Sequence, residues 1–157
     1  MDGSPEERAR AAISASGLAF ETTRHGRVSS LEEAAAARGL TPDRVLKSIV
    51  VRRSDRDFLF VLVPGGRTIS WPKLRSHLSV KRLSMPSAAE ALSVTGYERG
   101  TITPFGSSTP LPVIADAAIP PGPVSIGAGA HGVAFTVDAS ALAQALEAET
   151  ADVTQQE

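Results

Sequence analysis

The sequence predicts a single α+β domain, with helices and short strands interleaved around one mixed sheet. Three observations carry this. Ser4–Glu7, Ser30–Glu33 and Ser87–Glu90 each open on the Ser-x-x-Glu pattern that caps a helix N-terminus. Apolar runs of strand length lie between these helices rather than in a block of their own. No repeat or linker divides the 157 residues, a length typical of one domain with its own core.

The elements follow in order. Ser4 caps the first helix, Pro5 suits its first position, and Gly17 stops it. Leu18–Thr23 alternates as a short strand. The alanine-rich second helix runs from Ser30 to Arg38 and ends at Gly39. Thr41-Pro42 starts one short helical turn toward Leu46. Ser48–Arg53 and Phe58–Val63 form a hairpin through Ser54–Asp57. Ser70–Leu78 is a helix with Pro72 in its first turn, Val80–Leu83 reads as a strand, and Pro86–Val94 is the third capped helix. Gly96–Gly106 and Ser107–Pro112 are rich in Gly, Pro, Ser and Thr. Short apolar runs follow at Val113–Ala115, Val124–Ile126 and Val133–Val137. Ala139–Glu147 closes a core spanning residues 18–147, and the polar tail over 148–157 is expected to fray.

Composition narrows the function. Cysteine is absent, which excludes a disulfide framework, a thiolate metal site and a Cys nucleophile, and fits a reducing cytoplasm. No apolar run approaches the about 20 residues of a membrane span. The acidic start, Met1-Asp2-Gly3-Ser4, lacks the basic and apolar regions of a signal peptide. A soluble, cytoplasmic protein with no membrane partner is expected. Net charge is −1, yet Asp43–Arg82 holds ten Lys/Arg against three acids, a local +7 that the rest of the chain offsets. Such a stretch either attracts phosphate or is a solvated sheet face.

Gly127-Ala128-Gly129-Ala130-His131-Gly132 matches the dinucleotide pattern G-x-G-x-x-G. That pattern works by opening a helix onto a pyrophosphate, whereas Val133–Val137 reads as a strand, so a glycine turn between strands is the better reading. There is no G-x-S-x-G and no H-E-x-x-H, and His25, His77 and His131 lack ligand spacing. Two features remain. Lys47, at the entrance to the apolar strand Ile49–Val51, is placed either to meet a phosphate or oxyanion or to snorkel at the surface. Gly100-Thr101-Ile102-Thr103-Pro104-Phe105-Gly106 is a shaped turn whose N–H groups can hold a carbonyl oxygen, or a plain connection.

Together these pieces resemble a known family. Leu31–Ala35 followed by Gly39–Val50, the loop Gly96–Gly106, the strand Pro112–Asp116, and the closing Val124–Gly132 and Asp138–Leu142 are similar, in order over roughly residues 20 to 147, to YbaK-like, prolyl-tRNA-synthetase-associated editing domains. The resemblance implies a mixed, barrel-like sheet flanked by helices. It implies hydrolysis of the ester of a mischarged aminoacyl-tRNA, often tRNA for proline, without metal or organic cofactor. By position, Lys47 matches the family's essential lysine, as anchor of the terminal phosphate or polariser of the ester. Gly100, Thr103, Pro104 and Phe105 fall in its G-x-x-x-P loop, Gly127 and Gly129 in the opposite wall, and Asp138 at a position often acidic. Ser30 stands where some members carry an aromatic residue that shapes the amino-acid pocket, so no one subfamily's substrate is implied. The implied partners are the acceptor end of a mischarged tRNA and prolyl-tRNA synthetase, with the protein a monomer or homodimer. A non-catalytic tRNA-end or synthetase-binding module of the same fold is the alternative. A small-molecule ester hydrolase is a third reading, under which the basic stretch has no partner.

Overall fold

The computed structural model describes residues 3–157; Met1 and Asp2 of the acidic start lie outside the described residues. Helix α1 (Pro5–Ala15), strand β1 (Glu21–Arg24) and helix α2 (Leu31–Ala37) lead through a 3₁₀ turn at Pro42–Arg44 into the long hairpin β2 (Leu46–Ser54) and β3 (Asp57–Pro64). Strand β4 (Arg67–Ile69) and helices α3 (Trp71–Leu78) and α4 (Ala88–Thr95) follow. Strands β5 (Val113–Asp116), β6 (Pro123–Gly127) and β7 (Val133–Asp138), helix α5 (Ala139–Ala145), and strands β8 (Glu149–Ala151) and β9 (Thr154–Gln156) complete the chain.

The α+β class holds, and the four-stranded sheet is mixed as expected, though the described strands form separate sheets and do not close into a barrel. The strands divide into three ladders: β2-β3-β5-β8, β1-β7-β6 and β4-β9. In the first, β2 runs antiparallel to β3, while β3–β5 and β5–β8 are parallel. A single parallel bridge, Val45 to Ser125, ties β6 to the entrance of β2. Strand β3 is central and buried on both faces, which is why it is a continuous apolar run. Its Phe60 and Leu62 pack with Tyr97, Ile126 and Phe135 on one side. Its Val61 and Val63 pack with Leu74, Ile114 and Val153 on the other.

Helix starts follow the serines. Ser4, Ser30, Ser70 and Ser87 cap α1 to α4, and Ser87 with Glu90 closes a complete capping box. Glu33 behaves differently. Its carboxylate takes the N–H and hydroxyl of Ser29 at 3.0 Å each, which lowers its pKa from the ordinary carboxylate value.

Two expectations about strands are corrected. Val80–Leu83 is not a strand; only Ser84, just beyond it, pairs, with Arg52. The tail expected to fray over 148–157 instead forms β8 and β9, with Val153 and Thr154 fully buried. The physical reason is Asp116. Its buried carboxylate accepts from Val153 N–H at 3.0 Å and Thr154 Oγ1 at 2.8 Å, so the polar tail docks by satisfying a carboxylate as well as by burying Val153.

Candidate functional site

Strand β2 brings the site together. It is an edge strand, and past the Val45–Ser125 bridge it diverges from β6. A cavity of about 400 Å³ opens along that edge, lined by Lys47, Ser48 and Ile49 of β2, by Gly127, and by Gly100 and Ile102 of the glycine-rich loop. Met85, Pro86 and Ala91 close one side, and Arg38 and Arg99 bring cationic side chains to the wall. A second cavity, of about 460 Å³ near Phe58, Leu111 and Glu147, touches none of the residues singled out in the sequence.

The loop wall is rigid for definable reasons. Gly96 and Gly100 adopt φ of 80° and 92°, where a side chain is strained. Thr101 bonds back to Glu98 through N–H and hydroxyl, at 3.0 and 2.8 Å. Phe105 is buried in the core, and its carbonyl accepts the Tyr97 hydroxyl at 2.6 Å. Burial raises the Tyr97 phenol pKa above its ordinary value, opposed by the Arg8 guanidinium, 5.0 Å from the ring centre. The two glycine loops then lock together, since Gly129 N–H donates to the Thr101 carbonyl at 3.0 Å. A Cβ on Gly127 would lie 2.5 Å from the Ile102 carbonyl oxygen.

Lys47 is on the same strand face as Ile49 and Val51, opposite to Ser48 and Val50. Its ammonium donates to the Arg67 carbonyl at 2.8 Å and lies 3.7 Å from the Glu157 carboxylate. The side chain is 41% exposed, so this cation is in reach of solvent. Ser48 Oγ and Arg38 Nε are buried with no hydrogen-bond partner among the described residues. The Arg38 guanidinium donates to Ser125 Oγ at 3.0 Å, makes no ion pair among the described residues, and has its pKa lowered by burial. It stays charged at neutral pH nonetheless.

Of the residues singled out in the sequence, Lys47, Gly100 and Gly127 share this cavity. Thr103, Pro104, Phe105 and Gly129 stand behind its wall, where Thr103 and Phe105 are buried and Gly129 fits closely against the Pro5 carbonyl. Ser30 and Asp138 cap α2 and α5 and are not among the lining residues. Sequence reasoning missed Arg38, Ser48 and Arg99. Arg38 reads as an ordinary basic helix end, and only the fold shows that it is covered. Much of the basic stretch is used internally. Arg53 pairs with Asp57, Lys73 with Asp152 and Arg52 with Glu90, while Arg44 donates to the carbonyls of Pro121 and Pro123. Among the described residues, no group of His, Asp and Glu side chains is arranged to hold a metal, and no helix is long and apolar enough to cross a membrane.

The fold is α+β, and its cavity brings Arg38, Lys47 and Arg99 beside two glycine-bearing loops. The aminoacyl-tRNA editing domain model matches residues 25–145, and the chain belongs to that family. Its fold is the YbaK-like fold. It is 30% identical over 92 residues to a proline–tRNA ligase of Bacillus licheniformis and 32% identical over 92 residues to that of Thermosipho melanesiensis, covering 59% of this chain in each case. The matched stretch is 16% of the length of those ligases. Among solved structures, a protein proposed as a trans-editing enzyme for prolyl-tRNA synthetase superposes with a TM-score of 0.87 at 22% identity over 98% of both chains. A scaffold used for epitope backbone grafting superposes at 0.86 and 21% identity over 99% of both. At such identities these likenesses show the fold.

Proposed function

We propose that this protein is a trans-acting aminoacyl-tRNA deacylase that hydrolyses the ester joining a wrong amino acid to tRNA, with tRNA for proline the expected class. One observation supports this above the rest. Within an editing-family chain, Lys47, Gly100 and Gly127, far apart in sequence, border one cavity large enough for a small aminoacyl group. An aminoacyl ester is an activated bond; its hydrolysis needs a positioned water and stabilisation of the oxyanion. In this reading the cavity holds the aminoacyl group, and N–H groups of the Gly100–Pro104 loop face its acyl oxygen. The exposed Lys47 ammonium exchanges the Arg67 carbonyl for a phosphate of the tRNA terminus. Arg99 adds to the field that draws the acceptor end in. A larger, correct amino acid is spared because it does not fit.

The test is Lys47→Ala on a panel of mischarged tRNAs. Loss of a charged contact to phosphate is about 1.5–3 kcal/mol, or about ten- to a hundredfold in kcat/KM. The fold should be intact, because the side chain is half exposed. Unchanged deacylation of every tRNA in the panel would refute the role of Lys47.

A further inference from the structure

Strand β2 carries β3 on one edge; among the described residues its other edge is bridged at two points, one at its entrance and one near its end. At one end lies the Val45–Ser125 bridge. At the other, Arg52 and Ser84 form a reciprocal pair, with Arg52 N–H to the Ser84 carbonyl at 2.8 Å and Ser84 N–H to the Arg52 carbonyl at 3.0 Å. In a strand the N–H and C=O of one residue point to the same side, and the side alternates along the chain. Arg52 turns both groups away from β3. Val50 and Ser48, two and four residues earlier, therefore do the same. The register shift in the hairpin lies beyond Arg52 and leaves this phase intact.

The cavity fills the interval between the two bridges. The run Val45–Val50 lines it, with Gly127 just past Ser125 and Pro86 just past Ser84. Each neighbour has a reason to stop pairing there. Continuing from Ser84 would set Pro86 opposite Val50, and proline has no N–H to give that carbonyl. Gly127 packs against the Ile102 carbonyl instead. The main-chain donor and acceptor of Ser48 are thus aimed into the cavity, with no strand opposite among the described residues.

We propose that the aminoacyl group itself pairs with Ser48 as a one-residue strand: its α-ammonium donates to the Ser48 carbonyl, and its acyl oxygen accepts from the Ser48 N–H. This repeats the Arg52–Ser84 pair four residues along the same edge. It rests on the reading that the cavity is the aminoacyl site. The acyl oxygen keeps a second lone pair for the Gly100–Pro104 loop. Recognition then uses only atoms common to all α-amino acids. Discrimination is left to the size of the wall around the side chain.

The test is amide hydrogen exchange on the full-length, ¹⁵N-labelled chain with two probes. One is an acceptor-stem microhelix ending in 3′-amino-3′-deoxyadenosine acylated with L-alanine through a stable amide. The other carries propionate, which lacks the α-amino group. With the alanyl probe, Ser48 N–H exchange should slow about tenfold or more, and the propionyl probe should bind about tenfold more weakly, the worth of one hydrogen bond to a charged donor. Binding of the alanyl probe, reported by shifts at Gly100 and Gly127, with Ser48 exchange unchanged or with equal propionyl affinity, would overturn the pairing alone. A Ser48 amide already as protected as those of β3 in the free protein would overturn it as well. Binding of neither probe would remove the aminoacyl-site reading and the pairing with it.

Discussion

Replacing Gly127 with alanine tests whether the two glycine loops are held at a fixed separation. The added Cβ would lie 2.5 Å from the Ile102 carbonyl oxygen and 3.2 Å from that of Thr101. Ordinary contact begins at 3.4 Å, so the nearer oxygen is 0.9 Å too close. Both neighbours are backbone, and the loop that carries them is tied down through Thr101, Phe105 and Gly129. It cannot give way as a flexible side chain would. Overpacking of this kind costs about 1–3 kcal/mol. For a chain of this length that corresponds to about 2–4 °C of melting temperature per kcal/mol. Urea denaturation followed by circular dichroism measures the first and a thermal scan the second. Gly26→Ala is the matched control, since Gly26 has no heavy atom within 4 Å of its built Cβ and no positive φ. It should change stability by no more than about 0.5–1 kcal/mol, and in the stabilising direction. Gly127→Ala should also displace the Gly100 wall and lower deacylation. A variant at Gly127 as stable and as active as the Gly26 variant would show that the loops are not packed as described.

Asp116→Ala should cost about 3–5 kcal/mol, because it strands the Val153 N–H and Thr154 hydroxyl in the interior and frees β9; urea denaturation and limited proteolysis near 148–157 measure it. Tyr97→Phe should cost about 1 kcal/mol at neutral pH by leaving the Phe105 carbonyl without its donor. It should also alter the alkaline limb of the stability curve. Burial raises the folded phenol's pKa, so Tyr97's contribution is complete below the unfolded value of 10.0 and is lost as pH rises through the folded one. The wild type should therefore lose stability above pH 10 more steeply than Tyr97→Phe; equal slopes would refute the assignment.

Sequence and structure agree most where structure is local. Three serine caps, Ser4, Ser30 and Ser87, stand at the helix starts where the sequence puts them, because a cap is written within four positions of chain. The β2–β3 hairpin is legible because β3 is apolar throughout, and Gly17 and Gly39 stop their helices at positive φ as read. What escapes is non-local. The segment Glu149–Gln156 has one buried apolar side chain, Val153, and its order comes from a carboxylate more than thirty residues earlier, which local composition does not encode. Val80–Leu83 has strand composition, yet Pro86 limits that stretch to one bridge. The site divides the same way. Lys47, Gly100 and Gly127 stand out as a lysine at a strand entrance and glycines in shaped turns. Arg38, Arg99 and the open edge at Ser48 depend on how β2 and β6 part, which no single segment records.

The most direct measurement is single-turnover release of amino acid, with protein in excess, from tRNA for proline charged with a small wrong amino acid and, in parallel, with proline. The wrong ester should be cleaved well above its spontaneous rate while the prolyl ester persists. Spontaneous decay of both esters in the presence of the folded protein would contradict the assignment of this cavity to editing.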